Sequence, residues 1–600
     1  MFTFSRHRFN LSGTWRMMPD PYDVFEQTRF WEKLEETGRP IDHSPEEWPR
    51  IPVPSCWNVA RPELEYYEGP AWYYKRFRFE KRRPYRYFLY FEAANYRTKV
   101  WINGLLLGEH EGGFTPFWFE VTEQLLMSNM IFVKVDNSRS PDSVPTLICD
   151  WFNFGGITRP AYVVAVPREH IANFKVSTRL DGGKTFVRFE AWTDGAADEP
   201  VKVTIPEANF VDTLRQGKRG YHDAEFEIYP DLWTPEKPRL YDVELSWARD
   251  TVTDRIGFRE VRAVGEDILL NGKPTRLYGM CVHEEAHGKG RTLDEADVAK
   301  RFQWARELHC NFLRLAHYPH SEAMARAADK AGVLLWEEVP VYWKIAFENK
   351  GTLANAKHQM QALVERDWNR ASVALWSIGN ETDPAQRGRT SFMSALADYT
   401  RKLDPTRLVT AACYLDFSKL EAIVLDDPLA AKLDVVGVNE YFGWYEHRVA
   451  DLERWKKDRK FPKPIIISET GCGTAPGHHG DKATRWTEEF QAEFYRQQMA
   501  FLDTVPRVKG VAPWILFDFR SPLRVNAWQR GYNRKGVLSD TGRKKLAFSV
   551  LSDFYAGKRG LARKPSRGPS RQPSGRRRPP GRRPPGRRPA ARRRPGGRGS

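Results

Sequence analysis

Short runs rich in aromatic and β-branched residues, separated by polar turn residues, fill the first 170 positions and predict a β domain. The clearest are 71–79 (AWYYKRFRF), the long segment 85–122 and 129–137 (NMIFVKVDN). Asn103-Gly104 stands between two apolar runs, the strongest short-range signal for a hairpin. Residues 171–262 repeat the pattern on a smaller scale, with FVRFEAWTD, VKVTI and YDVELSWARD spaced at roughly ten residues, as in a β-sandwich. Asn271-Gly272 closes one more hairpin, and then the period changes.

From about residue 275, short apolar runs alternate with stretches of helical periodicity, the pattern of βα units around a parallel sheet. Eight strands are predicted, at 275–281, 311–317, 333–339, 372–379, 408–414, 433–439, 464–469 and 508–515. Amphipathic stretches such as DEADVAKRFQWARELH, SEAMARAADKAG and TEEFQAEFYRQQMAFLDTV lie between them. Eight such units over about 280 residues match a (β/α)₈ barrel. A doubly wound sheet fits the same alternation, but no GxGxxG follows any strand to support dinucleotide binding. The predicted organisation is a β-sandwich at 1–170, a second at 171–262, a barrel at 263–556 and a disordered tail at 557–600.

Composition adds the tail and removes several functions. The chain has 600 residues, too many for one core, and a net charge of +17. Residues 558–600 hold 17 Lys and Arg and no acidic residue, so residues 1–557 are formally neutral. The basic pI therefore makes no case for nucleic-acid binding by the body of the protein. The Arg, Pro and Gly of the tail cannot bury enough surface to offset ordering entropy, so it is expected to be dispensable. No run of about 18 apolar residues suggests a membrane span, and the first residues carry charges where a signal peptide would be apolar. The six cysteines (56, 149, 281, 310, 413 and 472) form no CxxC pair, which fits a reducing compartment, with the cytoplasm as default. No His and carboxylate cluster has metal-ligand spacing, so neither a metal nor another cofactor is expected, and the sequence leaves a homo-oligomer open.

Catalytic groups of such barrels sit at the C-terminal ends of strands. Two Glu residues occupy that position: Glu381 after SVALWSIGN and Glu469 after KPIIIS. They are 88 residues apart, about three βα units, which places them at the ends of strands four and seven. Retaining hydrolysis of a glycosidic bond needs such a pair about 5–5.5 Å apart, one to protonate the leaving oxygen and one to attack the anomeric carbon. A solvated loop Glu or a helix cap would occupy either position equally well, and spacing by itself leaves both readings open.

The motifs go further. DWNRASVALWSIGNE (367–381) and NFLRLAHYP (311–319) resemble the two signatures of glycoside hydrolase family 2. NLSGTW, VPSCWN, VWINGLLLGEHEGGF, FNFGGITRP, LWTPEKPRLYDVEL and IGFREV resemble the family's markers in its front domains. The resemblance runs from about residue 8 to 556. It implies a jelly-roll sugar-binding domain, an immunoglobulin-like sandwich and a catalytic TIM barrel, with Glu381 as acid/base and Glu469 as nucleophile. Two positions depart from the pattern: Thr382 where Pro often follows the acid/base, and Thr470 where glucuronidase-like members have Tyr.

The same resemblance suggests a carbohydrate substrate whose terminal sugar is a uronic acid, β-D-glucuronides first. A β-galactosidase or β-galacturonidase is the alternative. Asn533 and Lys535, in YNRKG, look like the N-x-K motif that grips a sugar carboxylate, and Asp150, in DWFNFGGITRP, like the residue reaching the sugar hydroxyls. VNEYFGWY would bring Asn439, Tyr441 and Tyr445 to the pocket, with Asn380 and His317 hydrogen-bonding the sugar and Trp514 as stacking platform. In isolation Lys535 reads as a surface charge, Asp150 as a turn cap, and His283 and His317 as structural histidines. A catalytically silent carbohydrate-binding protein is a rival class, against which the retention of both Glu residues counts.

Overall fold

The computed structural model describes residues 4–29, 31, 44–82, 84–413, 427–445, 447–457 and 462–561. The tail from 562 onward lies outside the described residues. Gly557 and Lys558, assigned from sequence to the tail, instead belong to the last helix, Leu546–Lys558.

The first domain packs two antiparallel sheets. One has six strands (Arg50–Val53, Gly13–Pro19, Pro70–Arg78, Ser128–Asp136, Arg97–Ile102 and Leu105–Glu111, in spatial order). The other has four (His7–Asn10, Ala161–Pro167, Tyr85–Phe91, Phe117–Glu120). Ile131, Val133 and Val135 face the core between the sheets with Trp15, Tyr73 and Leu89. Phe132, one residue out of phase, points the other way and is buried against Trp31, Trp48, Trp72, Tyr74 and Trp101. Four of the 21 tryptophans thus cover the outer face of this sheet. The Asn103-Gly104 hairpin forms, with φ of 50° and 86° at the two turn residues, a conformation that Asn and Gly adopt at low cost.

The second domain is a seven-stranded sandwich over His170–Ile256, with Phe174, Val187, Phe189, Val203, Leu245 and Trp247 in its core. The third is a closed barrel of eight parallel strands: β1 (Leu277–Val282), β2 (Phe312–Leu315), β3 (Leu334–Glu338), β4 (Val373–Asn380), β5 (Leu408–Cys413), β6 (Val436–Asn439), β7 (Ile465–Glu469) and β8 (Val508–Val511). Each falls within or within one residue of its predicted run. These strands are almost wholly buried, because the barrel interior covers one face and the helices the other. The helices are α1 (Glu295–Glu307), α2 (Glu322–Ala331), α3 (Lys350–Asp367), α4 (Arg389–Leu403), α5 (Glu488–Leu502) and α6 (Leu546–Lys558). Asp294 opens α1 with a capping box to Asp297, and α2 stops at Gly332, whose φ of 69° is left-handed.

What matters for the site is how the first domain meets the barrel. Arg159 forms a buried ion pair with Glu284 and donates to the carbonyl of Pro319, which locks its segment against the loops after β1 and β2. The neighbouring segment Cys149–Phe154 is held over the barrel mouth, where the Phe152 N–H donates to the Arg520 carbonyl (3.1 Å). Asp150 therefore reaches a site made otherwise by the barrel.

Every core element described ends by Leu561, whose N–H still bonds the Ala556 carbonyl, while Arg559 donates to the carbonyls of His309 and Cys310. Truncation after Leu561 is therefore expected to leave the melting temperature and kcat/KM unchanged. Thermal unfolding and an aryl-glycoside assay of the truncated chain check this, and a loss in either shows that the tail contributes.

Candidate active site

At the C-terminal mouth of the barrel lies a pocket of about 310 Å³, lined by Asp150, His317, Tyr342, Trp343, Glu381, Cys413, Asn439, Tyr441, Tyr445, Glu469, Trp514, Arg524, Asn533 and Lys535. Glu469 is the last residue of β7, and Glu381 follows β4 directly. The alternation of a strand explains the first, since its side chain turns inward to the barrel axis. Glu381 adopts a left-handed backbone, φ 48°, as the chain leaves the strand.

The two carboxylates are held differently. On Glu469, Oε1 accepts from Arg314 Nη1 (2.7 Å) and Oε2 from the Tyr441 hydroxyl (2.6 Å), so both oxygens have fixed donors. Arg314 lies on β2 with no exposed surface, between Glu469 and Glu338, and also donates to Asn380 Oδ1 (2.7 Å). Burial alone would raise the Glu338 carboxyl, but Arg314 and His317 outweigh it and bring it down to about 2. An ionised Glu338 in turn fixes Arg314 and the ring of His317, whose Nδ1 lies 2.8 Å from Glu338 Oε1. On Glu381, Oε2 accepts from Trp343 Nε1 (2.8 Å) and Oε1 from Asn439 Nδ2 (3.0 Å), with no cation in contact among the described residues. Burial first, and the Glu469 charge second, push the Glu381 carboxyl above the ordinary carboxylate range. Two carboxylates in one pocket are thus separated in character, one clamped by an arginine and one biased toward its protonated form.

Across the pocket stands a polar group of different sign. Lys535 is almost completely buried, its ammonium donates to the Tyr445 hydroxyl (2.6 Å) and lies over the Tyr441 and Tyr445 rings. Among the described residues no carboxylate is within ion-pair distance of it. Burial would raise the Tyr445 hydroxyl, but Lys535 and Arg524 more than offset this and hold it below the usual tyrosine range. Asn533 donates to Asp150 Oδ2 (3.1 Å), and Asp150 is ion-paired with Arg524 and accepts from Ser521.

Of the residues read from sequence, Asp150, His317, Glu381, Asn439, Tyr441, Tyr445, Glu469, Trp514, Asn533 and Lys535 line this pocket together. Asn380 does not: it sits behind the wall, its Oδ1 occupied by Arg314 and by Asn439 Nδ2 (3.0 Å). It orients neighbours instead of facing the cavity. Trp514 stacks on His317 (ring centroids 4.8 Å apart, planes at 18°), so one of its faces is already covered. His283 is buried against Tyr318, Trp514 and Phe519 outside the pocket.

Arg314, Glu338, Tyr342, Trp343, Cys413 and Arg524 were not anticipated. A signal existed for the first two: each is a charge inside an apolar strand, in NFLRL and LLWEE, and such a charge must find a buried partner. No local signal marks Trp343 or Arg524, which reach the pocket from loops. Among the described residues no group of three or more His, Cys, Asp or Glu could hold a metal ion, and no helix is long and apolar enough to cross a membrane.

Two inequivalent carboxylates at the mouth of a barrel are the arrangement that glycoside hydrolysis uses. Three models of glycosyl hydrolases family 2 match consecutive parts of the chain: the sugar-binding domain at 10–167, the central family domain at 169–259 and the TIM barrel domain at 261–524. The chain belongs to glycoside hydrolase family 2. It is 28% identical to a β-glucuronidase of Sus scrofa, across 92% of this chain and 91% of that one. A solved β-glucuronidase of an uncultured Clostridium sp. superposes with a TM-score of 0.82 at 27% identity, covering 93% and 99% of the two chains. A β-galacturonidase of Eisenbergiella tayi, at 24% identity and a TM-score of 0.80 over 93% and 98%, shares the fold.

Proposed function

We propose that the protein is a retaining exo-β-uronidase, with β-D-glucuronides as its preferred substrates, Glu469 as nucleophile and Glu381 as acid/base. Glu469 attacks the anomeric carbon while Glu381 gives its proton to the departing oxygen. Water then displaces Glu469, and Glu381 takes the water's proton. The β-glucuronidase relatives are consistent with this reading.

The observation that carries the uronate preference is Lys535: a buried ammonium with no carboxylate partner among the described residues, in a pocket that already contains Glu381 and Glu469. An unpaired buried charge is costly, and a ligand carboxylate removes that cost. The reverse holds for the sugar, since a uronate entering beside Glu469 needs a cation to offset the repulsion. Arg524, a second cation on the lining, is partly neutralised by Asp150, which leaves Lys535 as the principal partner. Asp150 and Asn533 beside it offer hydrogen bonds to the ring hydroxyls or the carboxylate.

A panel of p-nitrophenyl β-glucuronide, β-galacturonide, β-galactoside and β-glucoside tests the proposal. The glucuronide is expected to have the highest kcat/KM. Hydrolysis of the galactoside as the best substrate overturns the uronate reading, and a lead for the galacturonide changes only the configuration accepted at C4. Lys535→Ala is expected to lower kcat/KM for the uronide by about tenfold to a hundredfold, the worth of one charge-assisted hydrogen bond. It should leave residual activity on neutral hexosides unchanged or raised. The ratio of uronide to hexoside specificity constants is the measurement, and a ratio that does not move rejects this role for Lys535.

A further inference from the structure

Thr382 follows Glu381 directly and stands where the family pattern often has Pro. A proline would lock its own φ and restrict the residue before it. Threonine does neither. Glu381 nevertheless holds its left-handed backbone, φ 48°, which costs a non-glycine residue energy and persists only where the surroundings enforce it.

The enforcing contacts lie on either side of the acid. On one side the Glu381 N–H donates to the Ala412 carbonyl on β5 (2.9 Å). On the other, the Thr382 hydroxyl accepts from Nε of Arg389 (2.8 Å), the first residue of α4. Arg389 Nη1 and Nη2 donate to the two carboxylate oxygens of Asp427 (2.6 and 2.7 Å). Asp427 precedes the short helix Pro428–Lys432, between β5 and β6, and its Oδ1 also accepts from the Leu429 N–H (2.9 Å). Thr382, Arg389 and Asp427 are all buried, and they stand behind the pocket wall.

We infer that Thr382, Arg389 and Asp427 are positioning residues, a hydroxyl–guanidinium–carboxylate chain that aims Glu381 at the departing oxygen. The inference rests on the proposed role of Glu381 as acid. The guanidinium is planar, so two of its nitrogens fixed on Asp427 also fix where Nε points, and with it the Thr382 hydroxyl. A buried ion pair adds little net stability, because desolvation offsets its attraction. What this one supplies is direction. Trp343 and Asn439 hold the carboxyl group of Glu381 from other loops, whereas the Thr382 chain holds the backbone that carries it.

The test separates aiming of the acid from general support of the fold. Thr382→Val keeps the shape and removes the hydroxyl, leaving Arg389 Nε buried without its acceptor. It should lower kcat/KM for methyl β-glucuronide about tenfold to a hundredfold, the effect of displacing a reacting group by up to about 1 Å. The dinitrophenyl glucuronide, which needs little protonation, should be hydrolysed nearly as fast as by the parent. Thr382→Ser restores the hydroxyl and should restore the methyl glycoside rate. Thr382→Ala also lacks the hydroxyl and should repeat the Val result, so it decides the matter if the Val variant does not fold. Added to Glu381→Gln, the Val change should cost nothing more, since there is no proton left to aim. Equal losses on both substrates, no loss on the methyl glycoside, or a further loss in the double variant overturns the inference. Failure of the underlying reading looks different: Glu381→Gln itself would then lose equally on both substrates.

Discussion

Glu469→Gln should lower kcat by roughly four orders of magnitude, about 5.4 kcal/mol of barrier, with the fold intact. The Gln amide has nearly the shape of the carboxylate and can still accept from Arg314 or Tyr441 through its one oxygen. It cannot attack the anomeric carbon, because its lone pairs are tied up in the amide and it carries no negative charge. The environment of Glu469 is suited to an anion: Arg314 at 2.7 Å and the Tyr441 hydroxyl at 2.6 Å occupy both oxygens. Arg314 cannot move freely, since it is also bonded to Glu338 and Asn380. The amide puts an NH₂ against one of these donors, so a small fall in melting temperature is expected with the large fall in rate. A 2-deoxy-2-fluoro uronosyl fluoride, which forms the glycosyl-enzyme but hydrolyses slowly, should add one sugar to the parent at Glu469 and none to the variant. Peptide mapping that finds the label on another residue removes Glu469 from its proposed role.

The second large effect concerns Glu381. Glu381→Gln should cut kcat/KM for alkyl glycosides by roughly 10²–10⁴-fold, the range of general acid catalysis, and much less for dinitrophenyl glycosides. The reason is leaving-group chemistry: an alkoxide leaves poorly without a proton, whereas a dinitrophenolate needs little help. Equal losses for both substrates would remove Glu381 as the acid. The second half-reaction supplies a further signature. Once Glu469 has become an ester, its charge no longer raises the Glu381 carboxyl, which then loses its proton more readily and can act as base. In Glu381→Gln that base is missing, so the glycosyl-enzyme accumulates on activated substrates. Azide needs no base and should restore turnover, with a β-glycosyl azide as product.

The pH profile follows from the same electrostatics. The proposed reaction starts with Glu381 protonated and Glu469 as the attacking carboxylate. Burial and the neighbouring charge raise the Glu381 carboxyl, so its acid form persists to a higher pH than an ordinary glutamic acid allows. In kcat/KM the alkaline limb reports loss of that proton. Glu381→Gln should therefore lose the alkaline limb on activated substrates.

Much of this was legible in the residue order. The eight apolar runs from 275 onward could be counted because parallel strands buried on both faces read as continuous apolar segments. The two hairpins announced themselves through Asn-Gly pairs, since left-handed turn residues restrict the choice of side chain. Glu381 and Glu469 stood out because each terminates such a strand, the place where a barrel opens to substrate. Local rules of conformation and burial act over a few residues, and a sequence displays them directly.

What depended on contacts across hundreds of residues could not be read in this way. Asp150 meets Arg524 across 374 positions, and Arg314 meets Glu469 across 155. Whether Lys535 is a solvated surface charge or a buried cation is decided by Tyr441 and Tyr445, which reach it from another loop. Asn380 sits next to Glu381 in sequence, yet the geometry at the end of β4 turns it to Arg314 and away from the pocket. The sequence by itself determined the strands, the turns and the positions of the two carboxylates, because backbone preference and apolar burial are short-range. Only the tertiary structure decided which carboxylate is clamped by a cation and which is biased toward its proton, because charge interactions depend on distance and burial, and chain closure sets both.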